Sequence, residues 1–404
     1  MSRLFRINFN GTQIKINFLG LRLSLRKAKI PFVNFCCRRE NVRLQKRNLT
    51  LARSQLAGKE AQLGKFLFVT DSLVCHGGVE NRLLQYAGRL SRSGYAVHFF
   101  TSEPIALPEF ADYPQYRLYY PAKNFNRFFL DLVQTEKIDV VEFHFKSDEC
   151  LRSLDIASLK KLALTGCTIH GIGNYLWEYV NQLHYRIFIS QGLYASHQEL
   201  AADGYIVKNA VEKQSRLWRY QGQDRAIHIS RLTSDKLSLA ETFVRYCLDR
   251  GLKFEIAGAP EPDFDFKRRL MRRFKLKEDP FIGEIDTIRF LAEHRDRYLF
   301  VAGVGLVAIE AGTLNYPVFL TSPKGVEDST FLTKQNYPFF TDTNFTLSLY
   351  AARRPIVKTL ETSRIGDLEL GQYFSRDRDI DTVFQDYLEM IRRGLREKRG
   401  RNED

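Results

Sequence analysis

The sequence predicts an α/β protein in which two doubly wound, Rossmann-like domains face a cleft, preceded by a basic N-terminal extension. Three observations lead there. Strand–loop–helix–strand units occur in each half of the chain, at residues 64–101 and at 298–320. Glycines stand in the loops where their first strands end, Gly77 and Gly78 in one, Gly303 and Gly305 in the other. The charge, finally, is divided very unevenly along the chain.

A chain of 404 residues accommodates two domains and an appendage. With 44% hydrophobic and 27% charged residues it has the composition of an ordinary globular protein with a sizeable core. A net charge of +14 would point to nucleic acid if it covered one folded face. Residues 1–59, however, hold 14 Lys and Arg against one acid, Glu40; of the chain's 61 basic and 47 acidic side chains, 47 and 46 are left for the remainder. No motif that reads bases accompanies the charge, so no nucleic-acid partner is expected.

The extension alternates apolar and polar residues at 13–19 and 21–26 and continues into a helix-prone run at 42–63. No apolar stretch approaches the roughly 18 residues of a spanning helix. Lys15, Arg22 and Arg26 interrupt every candidate signal-peptide core. Two readings remain: a solvated tail, or an anionic membrane surface met by basic residues beside Phe18, Leu19, Phe32 and Phe35, each Lys or Arg contributing about 1 kcal/mol. The six cysteines show neither metal spacing nor a disulfide framework, which fits a reducing cytoplasm. No carboxylate cluster has metal spacing either, so no metal is expected.

Residues 65–71 read as a buried strand, 72–78 as a loop, 79–93 as a helix with Leu83, Leu84, Ala87 and Leu90 on one face, and 97–101 as the next strand. A right-handed crossover makes these strands parallel. Open parallel sheets bind ligands beyond the carboxyl ends of their strands, where Gly77 and Gly78 lie. Strands at 138–144 and 167–170 end in His144 and His170, two polar groups feeding the same crevice. A strand at 185–190 and the segment 204–211 complete a first domain, 60–212; the second is expected over 213–404.

In that second domain a strand from Arg225 leads into a loop carrying Arg231 and Lys236, then a helix over 237–250. A planar guanidinium fork and a point charge together can neutralise two phosphates. A strand at 253–258 and a segment at 281–285 follow. Next come a strand at 298–301, the Gly303–Gly305 turn, a helix holding Glu310, and a strand from Pro317. A glycine loop at a helix start presents unpaired N–H groups and a partial positive charge, a place for a phosphate. One turn further in, an ionised Glu310 could accept hydrogen bonds from a ribose; the alternative is a turn glycine and a solvated glutamate. Residues 337–341 read as a last strand. Residues 382–393 read as an amphipathic helix with Val383, Phe384, Tyr387, Leu388 and Ile391 apolar.

Gly303-x-Gly305-Leu306-Val307-x-x-Glu310-Ala311, followed by the Pro317-Val318 strand, resembles the donor-site signature of the family-four GT-B glycosyltransferases. The resemblance implies that the helix start at Gly305, Leu306 and Val307 receives the diphosphate of a nucleotide sugar and that Glu310 binds its ribose. His-Gly-Gly-Val-Glu at 76–80 resembles the family's Gly-Gly-x-Glu loop, implying that Gly77 and Gly78 let the backbone approach acceptor and donor phosphates. His170, followed by Gly171, resembles the histidine that bonds the sugar or its leaving phosphate. Arg231-Leu-x-x-x-Lys236 resembles the family's phosphate-binding element, with Ser230 in place of Gly, and Phe281-x-Gly283 a segment whose backbone contacts the base.

The chain departs from the pattern at Lys208 and Ala210, where the family has Pro and Gly, and at Ala302, where many members carry a further Glu. The implied activity is transfer of a sugar from a nucleotide-sugar donor to a growing glycan, with retention of configuration and without metal or other cofactor. The implied acceptor is a lipopolysaccharide-type or lipid-linked glycan at the cytoplasmic face of a membrane. A GT-B nucleotide-sugar epimerase is the alternative enzyme. A GT-B binding or scaffold protein without catalysis is the alternative that Ala302, Ser230 and Ala210 keep open.

Overall fold

A computed structural model describes residues 5–10, 13–18, 21–26, 63–71, 73, 77–102, 105, 107–117, 124–144, 149–171, 175–197, 204–261, 264–347, 356–360 and 370–400. The chain divides into two units, Met1–Lys59 and Glu60–Asp404. In the first, β1 (Phe5–Asn10), β2 (Gln13–Phe18) and β3 (Leu21–Arg26) form an antiparallel meander. Its register pairs Phe5 with Phe18, Ile7 with Ile16, and Ile16 with Leu23. The helix-prone run, save Leu63, lies outside the described residues, as do Leu19, Phe32, Phe35 and His76.

In the second unit, apolar strands alternate with amphipathic helices and assemble two sheets. The first contains β4 (Gly64–Thr70), β5 (Tyr95–Thr101), β6 (Gln115–Arg117), β7 (Val140–His144), β8 (Leu164–Ile169), β9 (Tyr185–Phe188) and β10 (Gly204–Ile206). All are parallel, in the order β10-β9-β8-β7-β4-β5-β6. The second contains β11 (Arg225–Ile229), β12 (Lys253–Ala257), β13 (Phe281–Gly283), β14 (Phe300–Ala302), β15 (Val318–Leu320) and β16 (Thr330–Phe331). Its order is β13-β12-β11-β14-β15-β16, parallel except for β16.

Counted within each sheet, both orders run 3-2-1-4-5-6, the doubly wound Rossmann arrangement, with one further strand on the first. The strand order therefore reverses beside β4 in one domain and beside β11 in the other. The loops that leave β4 and β11 carry Gly77–Gly78 and Arg231. The ligand-binding position of each domain is thus fixed by topology.

Two sequence expectations need correction. Residues Tyr337–Thr341 form a short helix, not a strand. Pro338 sits in its first turn, where a missing N–H costs nothing, and Asn336 turns the chain by accepting from the Thr333 N–H and donating to the Phe331 carbonyl. The last strand of that sheet is β16 instead.

The C-terminal helix, Ile380–Gly400, is longer than expected and belongs to the first domain. Its apolar stripe, Val383, Phe384, Tyr387, Leu388 and Ile391, is buried in one core with Phe66, Tyr86 and Tyr185. The helix returns because its stripe completes that core: Tyr387 meets Tyr86 ring to ring at 4.8 Å and its hydroxyl donates to Glu142 at 2.8 Å. Among the described residues no helix is long and apolar enough to cross a membrane.

Candidate active site

A cleft of about 640 Å³ runs between the two domains and is lined from both sides. Gly77, Gly78 and Asn81 come from the loop and helix after β4; Arg231 and Lys236 come from the loop after β11; Leu306, Val307 and Glu310 come from the helix after β14. Side chains at Gly77 and Gly78 would narrow it. A Cβ on Gly77 would lie 2.6 Å from a Glu80 carboxylate oxygen and 3.8 Å from the Arg231 side chain, and one on Gly78 4.0 Å from Leu306.

The helix Leu306–Thr313 opens on Gly305, whose φ of 62° and ψ of −127° only glycine adopts without strain. No side chain caps it. The first N–H inside the helical ladder is that of Ile309, bonded to the Gly305 carbonyl, so the N–H groups of Leu306, Val307 and Ala308 precede it. Gly305 itself does not line the cleft, and its N–H is used by the Phe345 carbonyl at 3.2 Å. Its role is to aim the helix start, while Leu306 and Val307 form the surface.

Arg231 projects from the loop between β11 and a 3₁₀ turn, Ser234–Lys236. The Lys236 ammonium lies 3.0 Å from Asp235, which also accepts from the Thr233 hydroxyl at 2.5 Å. Lys236 is about one-third exposed, so the pair is held loosely by solvent-screened attraction. Gly258, the residue after β12, must be glycine for a steric reason: a Cβ there would collide with the Ser230 carbonyl, and its φ is 152°. That close approach brings the two loops together at the mouth of the sheet.

Glu310 is buried, with 4% of its surface exposed, yet its carboxyl faces the cleft. Burial pushes its pKa up to about 8, the neighbouring Asp286 adds to the rise, and hydrogen bonds from Thr287 and Asn81 only partly offset it. Burial therefore favours the protonated carboxyl at neutral pH, whereas the sequence reading has it ionised. Desolvation outweighs the two donors. Asn81 belongs to the first domain, so its contact with Glu310 bridges the cleft.

Gly283 ends β13 with a φ of 88°, and its carbonyl accepts from Gly258 N–H at 2.8 Å. It does not line the cleft, but the residues after it, Glu284, Ile285, Asp286 and Thr287, do. Asp286 caps the helix Thr287–Glu293 through the Arg289 N–H. Ala302 is wholly buried as the last residue of β14. His170 stands just past the end of β8, half-buried and outside the cleft lining; its Nε2 lies 2.9 Å from Nδ1 of His144.

Sequence reasoning did not single out Asn81, Asp286 or Thr287. A polar residue in the first turn of the helix after Gly77–Gly78, facing the same ligand position, is the signal that marks Asn81. Asp286 and Thr287 carry an N-cap signature, but only the packing of two helices turns them toward Glu310.

No protein-family model matches the chain, and no curated protein matches it. Solved structures do. A glycosyltransferase from Rickettsia africae ESF-5 superposes over 82% of this chain and 99% of its own, at 13% identity and a TM-score of 0.58. The pneumococcal O-GlcNAc transferase GtfA, in complex with UDP and GlcNAc, covers 83% of this chain and 100% of its own, at 10% identity and a TM-score of 0.58. HepE from Anabaena, in complex with UDP-glucose, covers 81% and 99%, at 14% identity and a TM-score of 0.56. With two Rossmann-like domains arranged as in these proteins, the chain has the GT-B glycosyltransferase fold.

Proposed function

We propose that the protein transfers a glycosyl group from a nucleoside-diphosphate sugar, a UDP-sugar in the first instance, to a glycan or glycolipid acceptor. The observation that carries this reading is the convergence, in one cleft, of Arg231, Lys236 and an uncapped helix start with a buried carboxyl at Glu310. Positive and N–H groups suit a diphosphate. A carboxyl one turn further along the helix suits the hydroxyls of the attached ribose. UDP or UDP-glucose in the complexes of GtfA and HepE supports the choice of donor.

In this reading Arg231 and Lys236 meet the charge that builds on the leaving diphosphate as the glycosidic bond breaks, and so act mainly in the transition state. The base lies against the segment after Gly283, the acceptor enters on the Gly77–Gly78 side, and His170 serves the sugar or its phosphate. Transfer proceeds with retention and draws its charge neutralisation from these side chains. The acceptor is a surface glycan of lipopolysaccharide or lipid-linked type. Residues 1–59 hold the enzyme at an anionic membrane surface.

A panel of nucleotide sugars, screened by thermal shift and by nucleotide release, tests the reading. A UDP-sugar should raise the melting temperature, since a ligand stabilises by RT ln(1 + [L]/Kd), and should yield free UDP on incubation. Interconverted sugar without UDP release would instead indicate an epimerase, and binding without either product a scaffold. Absence of binding by every nucleotide sugar overturns the proposal.

A further inference from the structure

A fully buried carboxylate lies away from the cleft, on β7. Glu142 is 0% exposed and has four polar neighbours, three from other elements of the fold and one from its own strand. Its Oε1 accepts from the Thr168 hydroxyl of β8 at 2.7 Å, and its Oε2 from the Tyr185 hydroxyl of β9 at 3.0 Å and the Tyr387 hydroxyl of the C-terminal helix at 2.8 Å. The fourth is His144, two residues along the same strand, whose Nε2 is 2.8 Å from Oε1. The other nitrogen of His144, Nδ1, is 2.9 Å from Nε2 of His170. The three side chains thus form a line that starts in the interior of the sheet and ends at its carboxyl edge, the side on which such sheets hold ligands.

We propose that Glu142 and His144 are positioning residues for His170, the carboxylate fixing the tautomer of His144 and, through it, the proton and ring orientation of His170. The inference rests on the glycosyl-transfer reading for its consequence, since His170 is there given the sugar or its leaving phosphate. Nε2 of His144 is buried 2.8 Å from Oε1 but out of line for a hydrogen bond, so the carboxylate acts on it as a close negative charge, which favours hydrogen on that nitrogen. With hydrogen on Nε2, Nδ1 of His144 is the acceptor, and Nε2 of His170 donates to it at 2.9 Å. A proton gained by His170 yields an imidazolium whose charge is backed, through one ring, by the carboxylate. His170 is held as a donor and favoured as a cation, the state that serves a departing phosphate.

The surroundings agree with this polarity. Burial raises the Glu142 carboxyl, but attraction from His144 and the hydroxyls of Thr168 and Tyr387 outweigh it and hold it down at about 2. Tyr86, with Arg82 and Arg89 near it, also feels the charge of Glu142, and its hydroxyl is pushed up chiefly by burial. Phe68 of β4 meets His144 edge-on at 5.5 Å between ring centres. Asp71 follows Thr70, the register partner of His144, at the end of β4. A purely structural glutamate would need only the hydroxyls. The line of two histidines leading outward is what the positioning role explains.

The test reads His170 directly. Full-length protein labelled with ¹⁵N-histidine is titrated by NMR, with the His170 resonances assigned by their loss in His170→Asn. Glu142→Gln and His144→Gln should each lower the proton affinity of His170 about tenfold, one pH unit in its midpoint, and release its fixed tautomer. The double variant should lower it no further than His144→Gln alone, because the carboxylate acts only through that ring. An unchanged midpoint and tautomer in both single variants overturns the proposal; should Glu142→Gln not fold, His144→Gln decides it alone. UDP-sugar binding measured on the same samples separates the two readings: a wild-type protein that binds no donor counts against glycosyl transfer, whereas the fate of His170 is still decided by the spectra.

Discussion

Arg378, wholly buried, donates from Nη1 to the carbonyl of Asn209 at 3.1 Å and so ties together the two chain segments that pass between the domains. Its Nη2 donates to both the carbonyl and the hydroxyl of Thr341, at 2.6 and 2.8 Å, and its guanidinium lies 5.3 Å from the centre of the Phe345 ring. The segments are also paired main chain to main chain, Val211 N–H to Arg378 O and Ile380 N–H to Val211 O. Asn209 in turn accepts from Arg82 of the first domain and donates to Asn344 of the second. Arg378→Met leaves two carbonyls and a hydroxyl without their charged donor. A loss of roughly 3 kcal/mol is expected, since hydrogen bonds to charged groups contribute about 1.5–3 kcal/mol. Urea unfolding of the variant measures it, and a midpoint equal to that of the wild type would deny Arg378 this role.

Glu310 makes stability depend on pH in a defined direction. Its carboxyl titrates near 8 in the fold and near its ordinary value of 4.5 when unfolded, so the unfolded chain loses its proton first as pH rises. Stability is therefore highest below about 4.5 on this account, falls through the window between about 4.5 and 8, and is flat above it. Glu310→Gln, which keeps the shape and lacks the titration, should gain on the wild type by a few kcal/mol across that window. Paired urea titrations at the two ends check the sign. Where the donor's ribose draws on the carboxylate form, binding at neutral pH should also release about one proton, seen by calorimetry in buffers of different ionisation enthalpy.

Arg231→Ala or Lys236→Ala should reduce turnover of the donor on the order of 10²-fold, with a smaller effect on ground-state affinity. Near-normal turnover in both would remove the loop after β11 from the chemistry. Lys236 begins paired with Asp235, so Asp235→Asn is expected to change donor affinity much less than either.

Gly305→Ala places a Cβ at a positive φ and a ψ of −127°. The nearest side-chain atom, Nδ2 of Asn344, would be 3.8 Å away, so the cost is backbone strain rather than collision, about 1–3 kcal/mol. That strain re-aims the start of the helix. Thermal unfolding and UDP affinity should fall together in this variant, and unaltered UDP affinity would show that the helix start is not where the diphosphate sits.

Residues 1–59 carry 14 basic side chains and one acidic. The chain lacking them is expected to retain UDP binding and to lose sedimentation with anionic vesicles at low salt, where charge attraction is least screened. Vesicle binding that survives the deletion would move the membrane contact into the remaining residues.

What the sequence determined was local. Runs such as Phe66–Val69 and Phe300–Ala302 are buried strands because nothing in them tolerates water, and the helix between 78 and 92 shows its apolar stripe within four turns. The glycine loops, and the Arg231–Lys236 spacing, sit at strand ends that the same patterning marks. A short apolar run such as Tyr337–Thr341 carries no such period and reads equally as strand or helix; Pro338, suited to a helix's first turn, and Asn336, which donates to the Phe331 carbonyl of β16, decided it.

Which distant side chains met was settled by packing across the chain. Tyr387 reaches Glu142 across 245 residues and Arg378 reaches Asn209 across 169, and no periodicity records which sheet a stripe of apolar side chains will cover. The protonation of Glu310 likewise depends on Asn81, Asp286 and Thr287 closing around it, because desolvation is a property of the packed surroundings and not of the residue.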